Sequence, residues 1–244
     1  MRKRRHWSVK VADHVSISDQ ACSVPRSVGQ AHGETTVAKA PLQRVVLASN
    51  NTGKLREFGA LLSTAGMDLI PQGALGVSEA EEPFGTFVEN ALQKARHAAR
   101  ATGLAALADD SGLCVRALGG APGVYSARYA QMAGGEKSDA ANNARLLQEI
   151  APHADRRAYF YCVLVFVRHA DDPQPLIADG RWDGVLLDAP RGANGFGYDP
   201  LLWLPHFELS AAEMDAAQKN TYSHRAQALQ TLLVRLQAER DDVA

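Results

Sequence analysis

The sequence predicts an α/β domain. Three observations carry that prediction. A strand-sized apolar run, Val45 to Ala48, passes through a polar turn straight into an amphipathic helix. Further short apolar runs alternate with segments of helical periodicity along the chain. Hydrophobic residues make up 46% of the 244 residues, enough for one substantial core or for two lobes sharing a cleft.

Taken in order, Met1 to Pro41 mixes basic, polar and small residues without sustained apolar patterning, and reads as a flexible extension. It opens on Arg2, Lys3, Arg4 and Arg5, with no apolar segment behind them to serve as a secretory signal. The domain is expected over 42–238, with a short polar tail at 239–244. Its first strand, Val45 to Ala48, ends in Ser49-Asn50-Asn51-Thr52-Gly53. A helix from Lys54 to Leu62 follows, with Leu55, Phe58, Leu61 and Leu62 on one face and Gly66 closing it. A second strand, Met67 to Pro71, leads to the acidic loop Glu79-Ala80-Glu81-Glu82-Pro83. Thr86 then caps a helix that runs to Thr102 and stops at Gly103.

On that helix Phe87, Ala91, Ala95 and Ala98 form a small apolar face suited to close packing on a sheet. Leu104 to Ala108 reads as a strand that breaks at Asp109-Asp110-Ser111-Gly112 and resumes at Leu113-Cys114-Val115. The acidic pair is thereby expected at a turn on the sheet edge, where sites of α/β proteins lie. Asn142 to Ile150 reads as a helix, and Ala158 to Arg168 and Leu176 to Leu187 as two strands able to pair. Trp203 and Phe207 are expected beneath the loops that follow. The last helix starts near Ser223 and carries Ala226, Leu229, Leu232, Leu233 and Leu236 on one stripe.

A net charge of −1 advertises no polyanion-binding surface, so no nucleic-acid partner is expected and any phosphate site must be local. The three cysteines, Cys22, Cys114 and Cys162, form neither a CxxC pair nor a zinc spacing, which suits a reducing compartment. No apolar run approaches the roughly 20 residues that span a bilayer. A soluble, cytoplasmic protein is the expectation.

Five segments can carry chemistry. Ser49-Asn50-Asn51-Thr52-Gly53-Lys54 joins a strand to a helix N-terminus, where free N–H groups and the dipole favour an anion. It is not a Walker A loop, because the leading glycine is missing and Leu55 stands where Ser or Thr would hold magnesium. Glu79, Glu81 and Glu82, with Asp109 and Asp110, supply the oxygen ligands that magnesium requires. Gly192 to Pro200 is glycine-rich, and its Phe196 and Tyr198 are rings able to stack on a base. Lys219 and Ser223-His224-Arg225 place cations and hydrogen-bonding groups beside another helix start. Gly119 to Arg128 is a glycine-rich loop ending in an arginine, suited to wall a cleft or simply to turn a corner. Each segment alone also has an ordinary structural reading as a solvated turn or cap.

In this order the segments resemble the inosine/xanthosine triphosphate pyrophosphatase family, over about Arg44 to Leu236. The specific pieces are Phe87-Val88-Glu89-Asn90-Ala91, Ala108 to Leu113, Leu118 to Gly123, Phe196-Gly197-Tyr198-Asp199-Pro200 and Ser223-His224-Arg225. The resemblance implies an elongated, two-lobed α/β fold around a central twisted mixed sheet, a nucleotide cleft between the lobes, and a homodimer. It implies that Ser49, Asn50, Asn51, Thr52, Gly53 and Lys54 form the triphosphate turn, with Ser49-Asn50 replacing the commoner Thr-Gly. It makes Asp110 the catalytic acid-base residue and a magnesium ligand, and Glu82 the second ligand, with Glu81 a competing neighbour. Lys94 is implied to reach the phosphates. Ser111, Phe196, Gly197, Tyr198, Asp199, Lys219, His224 and Arg225 match substrate-contact positions.

The reaction implied is attack of water on the α-phosphorus of ITP, dITP or XTP, giving the monophosphate and pyrophosphate. Asp110 would orient or deprotonate the water, and the sequence does not separate those roles. Two competing readings remain at this stage: a pyrophosphatase for modified pyrimidine triphosphates, and a nucleotide-binding regulatory protein without turnover.

Overall fold

The computed structural model describes residues 43–62 and 67–241. The expectations for the Met1 to Pro41 extension, for Gly66 as a helix stop and for residues 242–244 lie outside the described residues. β1 (Gln43–Leu47) and β2 (Met67–Pro71) run parallel, joined by α1 (Thr52–Leu62). α2 (Phe87–Thr102) leads to β3 (Ala105–Val115), which also runs parallel to β1. From there the sheet is antiparallel: β4 (Arg157–Val167), β5 (Leu176–Leu186), and the short β6 (Leu202–Leu204) and β7 (Leu209–Ser210). The result is one open, mixed, seven-stranded sheet in the order β2-β1-β3-β4-β5-β6-β7. α3 (Asp139–Ile150) precedes β4, and α4 (Ala216–Tyr222) and α5 (His224–Asp241) end the described chain.

Local chemistry explains the helix ends. The Thr86 hydroxyl accepts the Glu89 N–H, and Gly103 takes the left-handed conformation that stops α2. The Ser138 hydroxyl accepts the Ala141 N–H at the start of α3. α4 went unrecognised in the sequence, although Asp215 and Gln218 form a reciprocal capping box at its start.

Three apolar clusters occupy the two faces and the two ends of the long strands. The α1 and α5 side buries Val45, Leu47, Phe58, Leu164, Leu229 and Leu232. The α2 side buries Ala91, Ala95 and Ala98 against Val46, Ala106 and Val165, so the small helix face does pack closely on the sheet. The far end of the strands holds Leu113, Val115, Phe160, Leu146 and Leu202. β3 therefore leaves the first two clusters at Ala108 and enters the third at Leu113. The four polar residues between them sit at the junction.

That placement corrects the expected turn. Asp109-Asp110-Ser111-Gly112 does not break the strand; it pairs with Leu164, Val163, Cys162 and Tyr161 of β4. Nor is it at an edge, since β3 is third of seven. The residues have turn chemistry, but cations from distant elements neutralise the carboxylates and let the ladder continue. Trp203 likewise lies within β6 rather than under a loop, with the Arg191 guanidinium 4.7 Å from its ring centroid.

α5 reaches the sheet through a single missing side chain. A Cβ at Gly180, mid-strand in β5, would stand 2.1 Å from the His224 carbonyl oxygen and 2.6 Å from the Ala228 nitrogen. Both are helix backbone and cannot step aside, as expected of a glycine where two backbones meet. Gly180→Ala should therefore push α5 off β5 and lower the unfolding free energy by about 1–3 kcal/mol in urea titrations.

Candidate active site

Successive residues on a strand point to opposite faces, so Asp109 and Asp110 meet different surroundings although they are adjacent. Asp109 has no side-chain exposure and is ion-paired to Lys54 from α1. Arg225 from α5 places Nε 3.4 Å from its Oδ2, the Cys162 thiol donates to the same oxygen at 3.1 Å, and the Ser111 hydroxyl donates to Oδ1 at 3.2 Å. Burial alone would raise its carboxyl, but Lys54, Arg225 and Lys94 outweigh burial and hold it well below the usual carboxylate range.

Asp110 faces α2 and the acidic loop. Lys94 Nζ donates to its Oδ1 at 2.9 Å and to Glu82 Oε1 at 2.7 Å. Asn90 Nδ2 lies 3.4 Å from Asp110 Oδ2 and binds the Phe84 carbonyl, while its Oδ1 accepts the Phe84 N–H. This amide staples the acidic loop to α2. Burial pushes the Asp110 carboxyl up despite Lys94, and the Glu82 charge adds to that. Lys94 itself stays charged: burial disfavours its cation, but Asp110 and Glu82 together raise it. Arg128 closes the group, with NH1 3.4 Å from Glu82 Oε2 and NH2 3.3 Å from the Glu82 carbonyl.

Glu82 and Asp110 therefore direct carboxylate oxygens at one point, at present shared by the Lys94 ammonium. Two carboxylates from different elements, completed by phosphate oxygens and water, are the donor set a hard divalent cation prefers. Among the described residues no group of three or more His, Cys, Asp or Glu converges to cage an ion. Glu82, not the exposed Glu81, makes the contact with Lys94.

The other wall is built by α5 and the Gly192 to Pro200 loop. His224 stacks on Phe160, with ring centroids 4.9 Å apart. Burial, reinforced by Arg225, drives its imidazole well below the ordinary value, so it is neutral at pH 7. Its buried Nδ1 has no protein partner. Arg225 is held by Glu57 Oε2 at 2.9 Å and Ser111 Oγ at 2.8 Å, and its guanidinium lies 5.1 Å from the Phe196 ring centroid. Lys219 on α4 donates to Asp199 Oδ2 at 2.8 Å, which also accepts the Phe196 N–H at 2.8 Å.

These walls enclose a cleft of about 840 Å³, nucleotide-sized among ligand cavities. Ser49, Asn50, Asn51, Lys54, Glu82, Lys94, Ser111, Phe196, Gly197, Tyr198, Asp199, His224 and Arg225 line it, as do Glu79 and Glu81. A cavity lined at one end by ammonium and carboxylate groups, and at the other by aromatic rings and a neutral imidazole, suits a molecule with a charged tail and a flat polar head.

A model of the Ham1 family matches residues 45–235. The chain belongs to the Ham1 family. It is 71% identical over 193 residues to a Burkholderia pseudomallei protein named dITP/XTP pyrophosphatase, covering 79% of this chain and 93% of that one. A Ralstonia nicotianae protein of the same name is 68% identical over 195 residues, 80% of this chain and 97% of its own. Among solved Ham1 structures, that of Coxiella burnetii matches with a TM-score of 0.75 and 46% identity, covering 81% of this chain and all of its own. The motif resemblance and the mixed α/β fold expected from it agree with the Ham1 assignment.

Four expected site residues are not on the cleft wall. Asp110 is 5% exposed and is reached through Lys94, while Lys219 is buried on Asp199 and Glu57. Thr52 and Gly53 do not line it either; a Cβ on Gly53 would stand 2.8 Å from the Phe196 ring, so the turn packs against the aromatic loop. Asn51 turns its Oδ1 to the Lys54 N–H at 3.0 Å, serving the start of α1. Sequence reasoning passed over Glu57, which holds both Arg225 and Lys219, and left Arg128 without a role. Arg128 carried a signal, as the cation ending a glycine-rich loop. Glu57 carried none, because its partners lie more than 160 residues away.

The two aspartates make opposite demands on stability. A carboxyl depressed in the fold stabilises it above the unfolded pKa and loses that only as pH falls through the folded value; a raised one stabilises only at acid pH. At pH 7, Asp109→Asn should thus cost about 3–5 kcal/mol, because it strands buried cations. Asp110→Asn should leave the denaturation midpoint unchanged or higher. Equal losses in urea titrations would contradict the assignment.

Proposed function

We propose that the chain hydrolyses non-canonical purine nucleoside triphosphates, ITP, dITP and XTP, to the monophosphate and pyrophosphate. The single observation that carries the reading is the division of the cleft, with Lys54, Lys94 and Glu82 at one end and Asp110 behind Lys94, and Phe196, His224 and Arg225 at the other. The name shared by its close relatives supports the same substrates. We place the enzyme in the cytoplasm, as a homodimer on the family resemblance; among the described residues no helix is long and apolar enough to cross a membrane.

In the reaction water attacks the α-phosphorus and the α–β anhydride bond breaks, releasing pyrophosphate. Glu82 and Asp110 are the residues that would hold Mg2+. When bound, Mg2+ supplies Lewis-acid polarisation of the phosphate oxygens and neutralises part of their charge. Lys54 and Lys94 stabilise the charge that grows on the leaving pyrophosphate. Lys54 is fixed in advance by Asp109, so it need not reorganise during the step. Asp110, the carboxyl whose environment favours a proton, orients the water and accepts its proton.

At the other end Phe196 offers a stacking surface and His224 a neutral imidazole with a free ring nitrogen. Hypoxanthine and xanthine present a 6-oxo group and an N1–H where adenine has an amine and an acceptor. A mismatch leaves buried polar groups unpaired, which a site of this kind rejects by orders of magnitude.

The test is a screen of ITP, XTP, GTP, ATP and modified UTP with Mg2+, scoring pyrophosphate against orthophosphate. Pyrophosphate from ITP and XTP above the others is expected; preference for the uridine compound selects the pyrimidine reading, and tight ITP binding without turnover the regulatory one. Asp110→Asn should lower kcat at least about 100-fold, the scale of a lost general base, with unchanged circular dichroism. We further assign the activity to the 42–238 domain, so a chain lacking Met1 to Ala40 should keep kcat/KM within about twofold, every site residue lying downstream.

A further inference from the structure

The loop that carries Phe196 and Tyr198 is held at several points, among them Ala212 and Met214 behind Asn194, and two further contacts belong to the site itself. The Phe196 N–H is bound by Asp199 within the loop, and the Tyr198 hydroxyl donates to the Ser126 carbonyl at 2.9 Å. Between them Gly197 has φ +62°, a left-handed conformation that a side chain would strain. Its peptide groups are bound by neither neighbour. They are bound by α3.

The Gly197 N–H donates to Asp139 Oδ2 at 2.7 Å, and Asn143 Nδ2 donates to the Gly197 carbonyl at 2.9 Å. Asp139 and Asn143 are four residues apart, one turn of α3, and so face the same way. The same helix buries Leu146 and Ile150 in the cluster that holds Leu113 and Phe160, which makes it a fixed mount. Asn143 is 9% exposed and spends its amide hydrogen on this one carbonyl, leaving its buried Oδ1 without a partner. A buried amide left half-satisfied for packing alone is costly, which points to a positional demand on Gly197.

We propose that Asp139 and Asn143 are positioning residues for base recognition: by gripping both sides of Gly197 they fix the angle at which Phe196 and Tyr198 face the cleft. The inference rests on the nucleotide reading of that cleft. Phe196 also lies against Gly53 and 5.1 and 5.5 Å from the Arg225 and Lys219 cations, so a tilt at Gly197 moves a ring that several groups contact. The clamp's hydrogen bonds go to Gly197 and not to Lys54, Lys94, Glu82 or Asp110, so tripolyphosphate binding reads the phosphate end separately.

The experiment uses the full chain and three readouts: pyrophosphate release from ITP and GTP with Mg2+, inhibition by inorganic tripolyphosphate, and thermal unfolding. Asp139→Ala and Asn143→Ala should each raise KM for ITP about 5–10-fold, the scale of one lost hydrogen bond to a constrained peptide, with kcat within about twofold. The ITP to GTP ratio of kcat/KM should fall, while the Ki of tripolyphosphate stays unchanged. The double variant should lose little more than the worse single one, since both act on one peptide. Asp139→Asn, which keeps an acceptor oxygen, should recover most of the loss. Asp139 is exposed, so its variants fold and carry the test even if Asn143→Ala does not. Unchanged KM and base ratio would overturn the clamp, and so would a kcat loss paired with a weaker tripolyphosphate Ki, the mark of general damage. If the wild-type chain prefers another nucleotide, the substrate reading fails and the same readouts are taken on that nucleotide. If it turns over none, calorimetric binding of ITP replaces KM.

Discussion

A carboxylate without solvent exposure in the middle of a β-sheet has to be neutralised, and Asp109 draws the molecule together for that reason. Its desolvation would cost several kcal/mol if unpaired. Lys54 arrives from the first helix and Arg225 from the last, so the two ends of the domain are fastened to the central strand by charge as well as by apolar packing. The Gly180 contact sets the height at which α5 crosses the sheet, and that height determines whether Arg225 reaches the aspartate at all. Glu57 then ties Arg225 to Lys219, and Lys219 to Asp199, extending the same ionic chain into the aromatic loop.

The alternation of a β-strand converts one acidic pair into two different chemical groups. Asp109 is turned to cations in excess and is fixed as an anion. Asp110 is turned to a single lysine that it shares with Glu82, and burial lifts it toward protonation. Neighbouring carboxyls pushed in opposite directions by their surroundings are the usual arrangement of an acid-base site. Lys94 and Asn90 lie four residues apart on α2 and serve this division together: one holds the carboxylates, the other holds the loop that brings Glu82 to them.

Much of the fold was legible because its signals are local. The Thr86 cap, the Gly103 stop, the alanine face of α2 and the leucine stripe of α5 each declare themselves within a few turns of helix. The acidic motif misled for the same reason: Asp-Asp-Ser-Gly has the composition of a turn, and only remote partners make it a strand. In the site, the residues with motif signatures were found and most of them do meet in one cleft. Glu57, Asn143 and Asp139 were not, since nothing beside them in sequence reveals a partner on another element.

The sequence by itself determined the α/β class, the approximate extents of most long elements other than β3, the family and the chemical kinds of residue that line the cleft, because periodicity, capping and motif order are properties of neighbouring residues. Tertiary structure alone decided how each aspartate is held, Asp109 by Lys54 and Arg225 and Asp110 by Lys94 beside Glu82, and what holds the aromatic loop. Those are matters of distance and burial between residues far apart in the chain, and electrostatic energies depend on both.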